Sequence, residues 1–582
     1  MSIHPRHRKH PRSVSTLPSV VVAAAAPRRF GFRSENHVNV PVRSSADRNL
    51  WLSNALQNVI GWSIVLLVGM TATAADPDAQ KPQLLTPPEV WSTFNPDEGE
   101  FQEEVLKRWT EQDTDFKEVY FSAYINGHTI RVYGIYAAPH LAVRAPAVMH
   151  LHGGGQTVNV QWLRTWAARG YAGLTLNCHG VWDNRDRYTL YPKALEHGNH
   201  QLSGDKLEAA FPTVRESSWY LWTAVARRAL SYLREQPEVD RERLGAFGVS
   251  MGGMTMWSLA MDPRLKAACA IYGCGWTRKH IFIPKFGPAE NAPQMTEADR
   301  IWVAGMEPEA YAPYVKCPVL FLSATNDYSG NMDRAYDTLA RLPANVERRQ
   351  AFTPRFWHHI GADFDQDLLL WMDTWLKGGA AWPKSPIVKT TLGADRVPLL
   401  TLTADKPQDI ERVAIYYALE NPQCISRNWR NAVAVPTESG WQAPLAVMHA
   451  DKYLFAFANV RYKSGIHLSS NEEAVVPAEL GDVQATDKPS SVIYDGSDGA
   501  GMWTTNSPGT DPVPPGHVPV SIRPLPGSRD QPGFTVNPNS NPLTFQPTII
   551  PGGPPSFMES FLRPPFSAPF SCRGKIEIRK KC

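Results

Sequence analysis

The chain has 582 residues, more than one hydrophobic core ordinarily serves and enough for two or more folded units. Its 43% hydrophobic and 20% charged composition is that of a globular protein, and a formal charge of +3 gives no electrostatic reason to expect nucleic acid or an anionic membrane surface as a partner. Seven cysteines are scattered as Cys178, Cys269, Cys274, Cys317, Cys424, Cys572 and Cys582, with no C-x-x-C pair and no Cys/His ligand spacing. No metal site is therefore expected, and Cys269 and Cys317, in or beside apolar stretches, read as buried free thiols.

Residues up to Asn49 are basic, rich in Pro and Ser and without apolar periodicity, so disorder is expected there. The apolar run Val59 to Met70 leads into Thr71-Ala72-Thr73-Ala74-Ala75-Asp76, the pattern of an export signal cleaved after Ala74 or Ala75. A secreted or periplasmic protein follows from that reading, with a start codon expected nearer Leu50. The alternative is a membrane anchor over residues 59–70, a run short of the ~20 residues a span needs. Beyond the export signal no membrane association is expected.

After an acidic lead-in from Asp97 to Glu104, strands and helices alternate. Strands are expected at 145–152, 171–176, 244–247, 267–272, 319–323 and 346–352. Helices are expected at 161–170, around 222–233, after Gly252, at 333–341 and at 368–377. This order predicts a doubly wound, mainly parallel α/β sheet over residues 76–380, with the lead-in included. The segment from Trp276 to Tyr314 is too long for a simple crossover, and is expected either to cap a site or to pack on the sheet. From residue 386 the period shifts to two, with strands expected at 397–402, 413–417, 433–435, 441–447 and 453–462. A small antiparallel β-sandwich-like domain over 386–497 is predicted. Residues 498–582 are dense in proline and are expected to be extended or disordered.

The chemistry is carried by Gly248-Val249-Ser250-Met251-Gly252, set between an apolar strand and a helix. A serine on such a sharp strand-to-helix turn needs glycines beside it, and its hydroxyl is then held above the sheet edge near the positive end of a helix. A serine nucleophile also needs a base, an acid to orient the base, and donors for an oxyanion. Asp327, just past the strand at 319–323, is the carboxylate best placed to orient a histidine, with Asp333 as alternative. After the last strand stand His358 and His359, one of them the expected base. The order Ser, Asp, His is that of α/β-hydrolases. The backbone N–H of Met251 with that of Gly154, or of Gly155 as second choice, is the expected oxyanion hole, because His152-Gly153-Gly154-Gly155 closes an earlier strand. His150 and His152 are expected to hold that loop. His179, Asp183 and Asp186 are expected to be solvated or to line the site.

Together the stretches 152–156, 248–253, 324–327 and 357–359 resemble the acetyl xylan esterase and dienelactone hydrolase-like branch of the α/β-hydrolases, over roughly Glu100 to Gly378. The resemblance extends more loosely to Leu480, through a β domain in which Trp429, Trp441 and residues 455–460 fit. It implies hydrolysis of a small-molecule or polysaccharide ester through an acyl-enzyme, without metal or organic cofactor. Carried over by position, Ser250 is the nucleophile, Asp327 the orienting acid and His359 the base, ahead of His358. The chain departs from the branch at two places. Gly154 stands where acetyl xylan esterases usually have an aromatic, and Ser250 where dienelactone hydrolases proper have cysteine. Two other readings are open. A prolyl oligopeptidase-type peptidase shares the fold and the order of residues, but the stretch before the first hydrolase strand is too short for its propeller. A carbohydrate-binding protein with a vestigial hydrolase would use Trp429 and Trp441 on sugar rings rather than in a core.

Overall fold

A computed structural model of the chain describes residues 81–279, 283–287 and 293–487, and four short strands between residues 503 and 547. The expected export signal and anchor segment, and the rest of the Pro-rich tail, lie outside the described residues. A short helix α1 (Pro87–Trp91) precedes three antiparallel strands, β1 (Glu104–Glu111), β2 (Thr114–Ile125) and β3 (His128–Pro139). The chain then alternates: β4 (Ala145–Leu151), α2 (Val160–Ala168), β5 (Ala172–Leu176), α3 (Ser218–Arg234), β6 (Val239–Val249), α4 (Met251–Ala260) and β7 (Leu265–Ile271). It continues with α5 (Glu297–Gly305), α6 (Pro308–Tyr311), β8 (Val319–Ala324), α7 (Met332–Ala340), β9 (Arg348–Thr353) and α8 (Ala362–Lys377).

These nine strands form one sheet in the order β1-β2-β3-β5-β4-β6-β7-β8-β9, parallel from β5 to β9. It is the mainly parallel sheet expected from the alternation, in the α/β-hydrolase-like arrangement that the resemblance implies. The β1–β3 meander was not expected, and its signal was present. Phe116, Val119, Phe121, Ala123 and Ile125 are buried on β2, and Asn126-Gly127 joins β2 to β3 with both residues at positive φ (52° and 74°). That dipeptide is the preferred tip of a two-residue hairpin.

Pleating sends alternate residues to two cores, as strands covered on both faces require. Ala147, Met149, Ala246, Ala268 and Phe321 pack with α3 and α4 on one face; Val148, Phe247, Cys269, Leu320 and Leu322 pack with α8 on the other. Cys178, Cys269, Cys274, Cys317 and Cys424 are buried free thiols. The segment after β7 packs rather than hangs over the sheet edge in its described parts: Trp302 and Tyr311 are buried. Glu307 accepts the N–H groups of Thr277 and Arg278, and Glu309 that of Trp276.

The C-terminal region contains β10 (Ile387–Leu392), β11 (Pro398–Thr403), β12 (Ile410–Leu419), β13 (Arg430–Ala432), β14 (Val435–Thr437), β15 (Gly440–Pro444), β16 (Leu454–Tyr462), β17 (His467–Ser469) and β18 (Glu473–Val475). They pair into two antiparallel sheets, β10-β11-β15-β14 and β13-β12-β16-β17, with β18 also on β16. The single strand expected at 433–435 is instead the break between β13 and β14. Both sheets feed one core, with Leu400 and Leu402 meeting Ala456, Ala458 and Val460. The other face of β16 carries Phe455 and Phe457 into the core of the large sheet. Trp429 lies there too, buried edge-to-face against Phe457 at 4.9 Å, so it is a core residue and no sugar platform. Further on, β19 (Trp503–Thr505) pairs with β22 (Phe545–Pro547), and β20 (Ser521–Pro524) with β21 (Pro532–Thr535). Proline survives in such two-stranded ribbons because it sits at strand ends and edges. Among the described residues no helix is long and apolar enough to cross a membrane.

The meander is tied to the parallel part through Arg228 on α3, which is 1% exposed. Its guanidinium donates to the carbonyls of Ser122 (2.9 Å), Pro96 (2.9 Å) and Gly99 (2.8 Å) and lies over the ring of Phe101. Arg228→Met keeps the stem but strands three carbonyls. It is expected to lower the unfolding free energy by about 3 kcal/mol, measured as a shift of the urea midpoint; an unchanged midpoint would mean that water replaces the guanidinium.

Candidate active site

Ser250 sits between β6 and α4 at φ 56°, ψ −115°, a conformation that costs an L-residue energy and persists only where its surroundings fix it. Those surroundings are backbone. A Cβ at Gly248 would lie 2.1 Å from the carbonyl oxygen of Gly252, and one at Gly252 would lie 2.3 Å from that of Leu151. Neither neighbour is a side chain that could swing aside. The Ser250 N–H donates to Ile271 O at 2.8 Å, which fixes the turn on β7.

Two further loops at the carboxyl ends of β8 and β9 converge on this hydroxyl. Asp327 is fully buried, and its Oδ1 accepts the N–H groups of Ser329 (2.7 Å) and Gly330 (2.6 Å). Its Oδ2 accepts from His358 Nδ1 at 2.7 Å, and His358 Nε2 lies 2.9 Å from Ser250 Oγ. With the ring proton on the Asp327 side, the lone pair of Nε2 faces the serine, which donates its hydroxyl hydrogen. The rings of Tyr272 (4.6 Å) and Tyr328 (4.9 Å) flank the imidazole, and burial pushes the Tyr328 phenol up to about 12.

His358, not His359, is therefore the histidine between serine and carboxylate, a correction to the order set from sequence. Adjacent residues on this turn face opposite ways: His359 is exposed, with its ring beside Phe356. Position within a family motif could not separate two neighbours whose difference is one backbone rotation. Asp333, the alternative acid, is also excluded by geometry. It lies buried on α7, with Arg427 forked across its carboxylate at 2.6 and 2.7 Å.

The glycine loop after β4 lies over the start of α4. A Cβ at Gly154 would stand 2.8 Å from Met251 Sδ, which places Gly154 beside the helix start. The Gly153 N–H is occupied by Gln156 Oε1 at 3.0 Å. At Gly155, φ 69°, an added Cβ would stand 3.4 Å from the indole of Trp182, and the Gly155 carbonyl accepts from Arg185. The first N–H groups of a helix have no intrahelical acceptor, so Met251 has a donor to offer at this edge.

His152 holds the loop as expected. Its Nε2 accepts the Cys178 N–H at 3.1 Å, so Nδ1 carries the proton, given to Gly153 O at 2.7 Å. Burial lowers it to about 4, and lowers His150, bonded to Thr175 Oγ1, to about 3. Both are neutral posts. His179 is neither solvated nor on a rim: it is buried between His152 and Trp222, and burial holds it well below the ordinary range. Asp183 is half-exposed and paired with Arg185 at 2.8 Å. Among the described residues, no group of three or more His, Cys, Asp or Glu is placed to hold a metal ion.

Residues 89–279 match the family model for acetyl xylan esterase (AXE1), and residues 227–377 match that for the prolyl oligopeptidase family. Solved structures similar to the chain include the acetyl xylan esterase from Paenibacillus sp. R4, at 15% identity over 51% of this chain and 98% of that one, with a TM-score of 0.39. Acetyl xylan esterase 1 from Thermoanaerobacterium sp. JW/SL YS485 is 17% identical over 50% and 95%, with a TM-score of 0.37. A putative dienelactone hydrolase from Klebsiella pneumoniae subsp. pneumoniae MGH 78578 is 18% identical over 45% and 99%, with a TM-score of 0.32. No curated protein matches.

Because the turn is packed backbone on backbone, Gly252→Ala must push α4 away from β4. Phosphonylation of Ser250 by a fluorophosphonate is expected to slow about 10²-fold, the usual cost of misplacing a reacting group by an ångström. Mass spectrometry of the labelled protein measures it, and labelling at the parent rate would show that the close approach is not needed.

Proposed function

We propose that the chain is an exported serine-type esterase of the acetyl xylan esterase and dienelactone hydrolase-like branch of the α/β-hydrolases, which cleaves acyl esters, acetylated carbohydrates among them, with Ser250, His358 and Asp327 as its reacting set; the match of residues 89–279 to the acetyl xylan esterase family supports it. The observation that supports this reading is the unbroken hydrogen-bond line from Asp327 through His358 to a serine on a strained turn.

In the proposed reaction Ser250 Oγ attacks the ester carbonyl carbon as His358 Nε2 takes its proton. Asp327, doubly held by backbone N–H groups, stabilises the imidazolium without moving. The N–H groups of Met251 and Gly154 receive the oxyanion; Gly155 is the weaker candidate because it backs onto Trp182. His358 then gives the proton to the departing alkoxide, releasing the alcohol. Water, deprotonated by the same nitrogen, attacks the acyl-enzyme, and the acid leaves as Ser250 recovers its hydrogen.

At Gly154 the branch's usual aromatic is missing. Trp182, from the loop after β5, instead brings its ring edge to 3.6 Å of where a Gly154 Cβ would stand. We read Trp182 as the wall that replaces it, so acetyl-sugar preference depends on this loop. A peptide substrate is the second reading, favoured by the match of residues 227–377 to the prolyl oligopeptidase family.

The test is hydrolysis of p-nitrophenyl acetate, butyrate and octanoate, of acetylated xylo-oligosaccharide and of a prolyl p-nitroanilide, by the chain from Asp76 onward. The expected result is turnover of the short esters. Ser250→Ala and His358→Ala should each lose about 10⁴-fold or more in kcat, with His359→Ala close to the parent. Inactivity of His359→Ala with an active His358→Ala would overturn the assignment, and turnover of the anilide alone would favour the peptidase. For export, Edman sequencing of the mature protein should begin at Ala75 or Asp76; an intact amino terminus would support the anchor instead.

A further inference from the structure

The loops that carry Asp327 and His358 are held from outside the hydrolase sheet. Asn326, 4% exposed and next to Asp327, uses its amide Nδ2 on three carbonyls of a single loop between β12 and β13. These are Arg427 at 2.8 Å, Ile425 at 3.4 Å and Cys424 at 3.5 Å. Its Oδ1 accepts from Thr325 Oγ1 at 2.8 Å, which fixes the amide's orientation. Thr325 Oγ1 in turn accepts the Arg355 N–H at 2.8 Å, on the way to His358, and Arg355 Nε donates to Trp429 O at 2.7 Å. The backbone closes the circuit, since Asn326 N–H donates to Phe356 O at 3.1 Å. Residues 424–429 thus grip the acid-bearing loop and the histidine-bearing loop together.

That gripping loop is itself clamped. All five donors of Arg427, which is 1% exposed, are used: Nε on Asn421 O, Nη1 on Asp333 and Glu472, Nη2 on Asp333 and Pro422 O. The guanidinium lies 3.5 Å over the Phe455 ring, and burial pushes the Glu472 carboxyl well above its ordinary range. A rigid fork of this kind cannot be supplied by lysine.

We propose that the 424–429 loop, acting through Asn326 and Arg355, is a positioning element for the hydrolytic site. It sets the Asp327–His358 alignment, so that the C-terminal β region completes the catalytic geometry rather than serving as a separate binding module. This rests on the reading of Ser250, His358 and Asp327 given above. Asn326 and Arg355 are positioning residues, since the bonds given above tie them to the loops that carry Asp327 and His358 and not to the serine. A misalignment of a fraction of an ångström between carboxylate and imidazole should appear in kcat and leave ester binding nearly untouched.

The experiment uses the full-length protein with Asn326→Leu, Arg355→Met and Arg355→Lys, alongside thermal melts. Two readouts are followed: kcat and KM for p-nitrophenyl acetate, and the low-field proton resonance of the His358–Asp327 hydrogen bond, identified by its loss in His358→Ala. Asn326→Leu and Arg355→Met are expected to lose roughly a hundredfold in kcat, with KM within about twofold and the low-field resonance broadened or lost. Arg355→Lys, which keeps one donor for Trp429 O, is expected to recover at least about a tenth of the parent kcat. Parent-like kcat and an intact resonance in both Asn326→Leu and Arg355→Met would overturn the proposal. Loss of kcat confined to variants that also melt early, with Arg355→Lys no better than Arg355→Met, would overturn it as well. If Asn326→Leu does not fold, the Arg355 pair decides alone. If the parent turns over no ester, the esterase reading fails, and the resonance still decides whether the loop sets the alignment.

Discussion

Everything at the site depends on how closely α4 approaches the sheet. The backbones at Gly248, Gly252 and Gly253 lie so near to neighbouring carbonyls that no Cβ fits. Ser250 is pinned by its N–H to β7 and forced to positive φ, which lifts Oγ clear of the sheet. Strain of this kind costs of order 1–3 kcal/mol and is tolerated only where packing over-determines the conformation. Here a nine-stranded sheet with two filled cores provides that excess, and the same packing aims the helix's free N–H groups at the serine's edge.

Around this fixed point the other participants arrive on loops, and loops need holding. The glycine loop is held by His152, neutral and bonded at both nitrogens. The Asp327 loop is held by its own carboxylate, which caps the Ser329 and Gly330 amides before it meets His358. Asn326 and Arg355 extend the support into the C-terminal β region. The division of labour is physical: strands set which loops meet, and buried polar networks set where their tips stand. These bonds matter because an orphaned carbonyl or amide in such interiors would cost about 1–3 kcal/mol.

A group of hydrogen bonds and the packing of one strand show why the C-terminal region should not be read as an appendage. The β9 edge of the large sheet is covered by side chains from β16 and β17. Phe352 N–H donates to Ser469 Oγ at 2.8 Å, and Asn459 Nδ2 to Phe352 O at 2.9 Å. An uncovered edge strand is a liability; here it is closed by polar groups that also sit one residue from Thr353, where the histidine loop begins. Second, alternate residues of β16 serve different cores, Phe455 and Phe457 toward the hydrolase and Ala456 and Ala458 toward the two small sheets. One strand therefore belongs energetically to both.

What the sequence determined by itself follows from local periodicity and steric need. Apolar alternation with helices marked the parallel strands, and Gly248-x-Ser250-x-Gly252 marked the turn, because only glycine fits there. The order of Ser250 and Asp327 at strand ends placed two of the three members of the line. Asn126-Gly127 is a further local signal, of the β2–β3 hairpin, in a stretch where no strand was expected. Tertiary structure alone decided the rest. Whether His358 or His359 meets Ser250 turns on the rotation of one backbone unit after β9, and whether Trp429 faces a sugar or Phe457 turns on which core covers it. Arg427, Asn326 and Arg355 had no sequence signature, since the side-chain bonds that tie them to other loops span 45 to 101 residues and such a bond leaves no period in the chain.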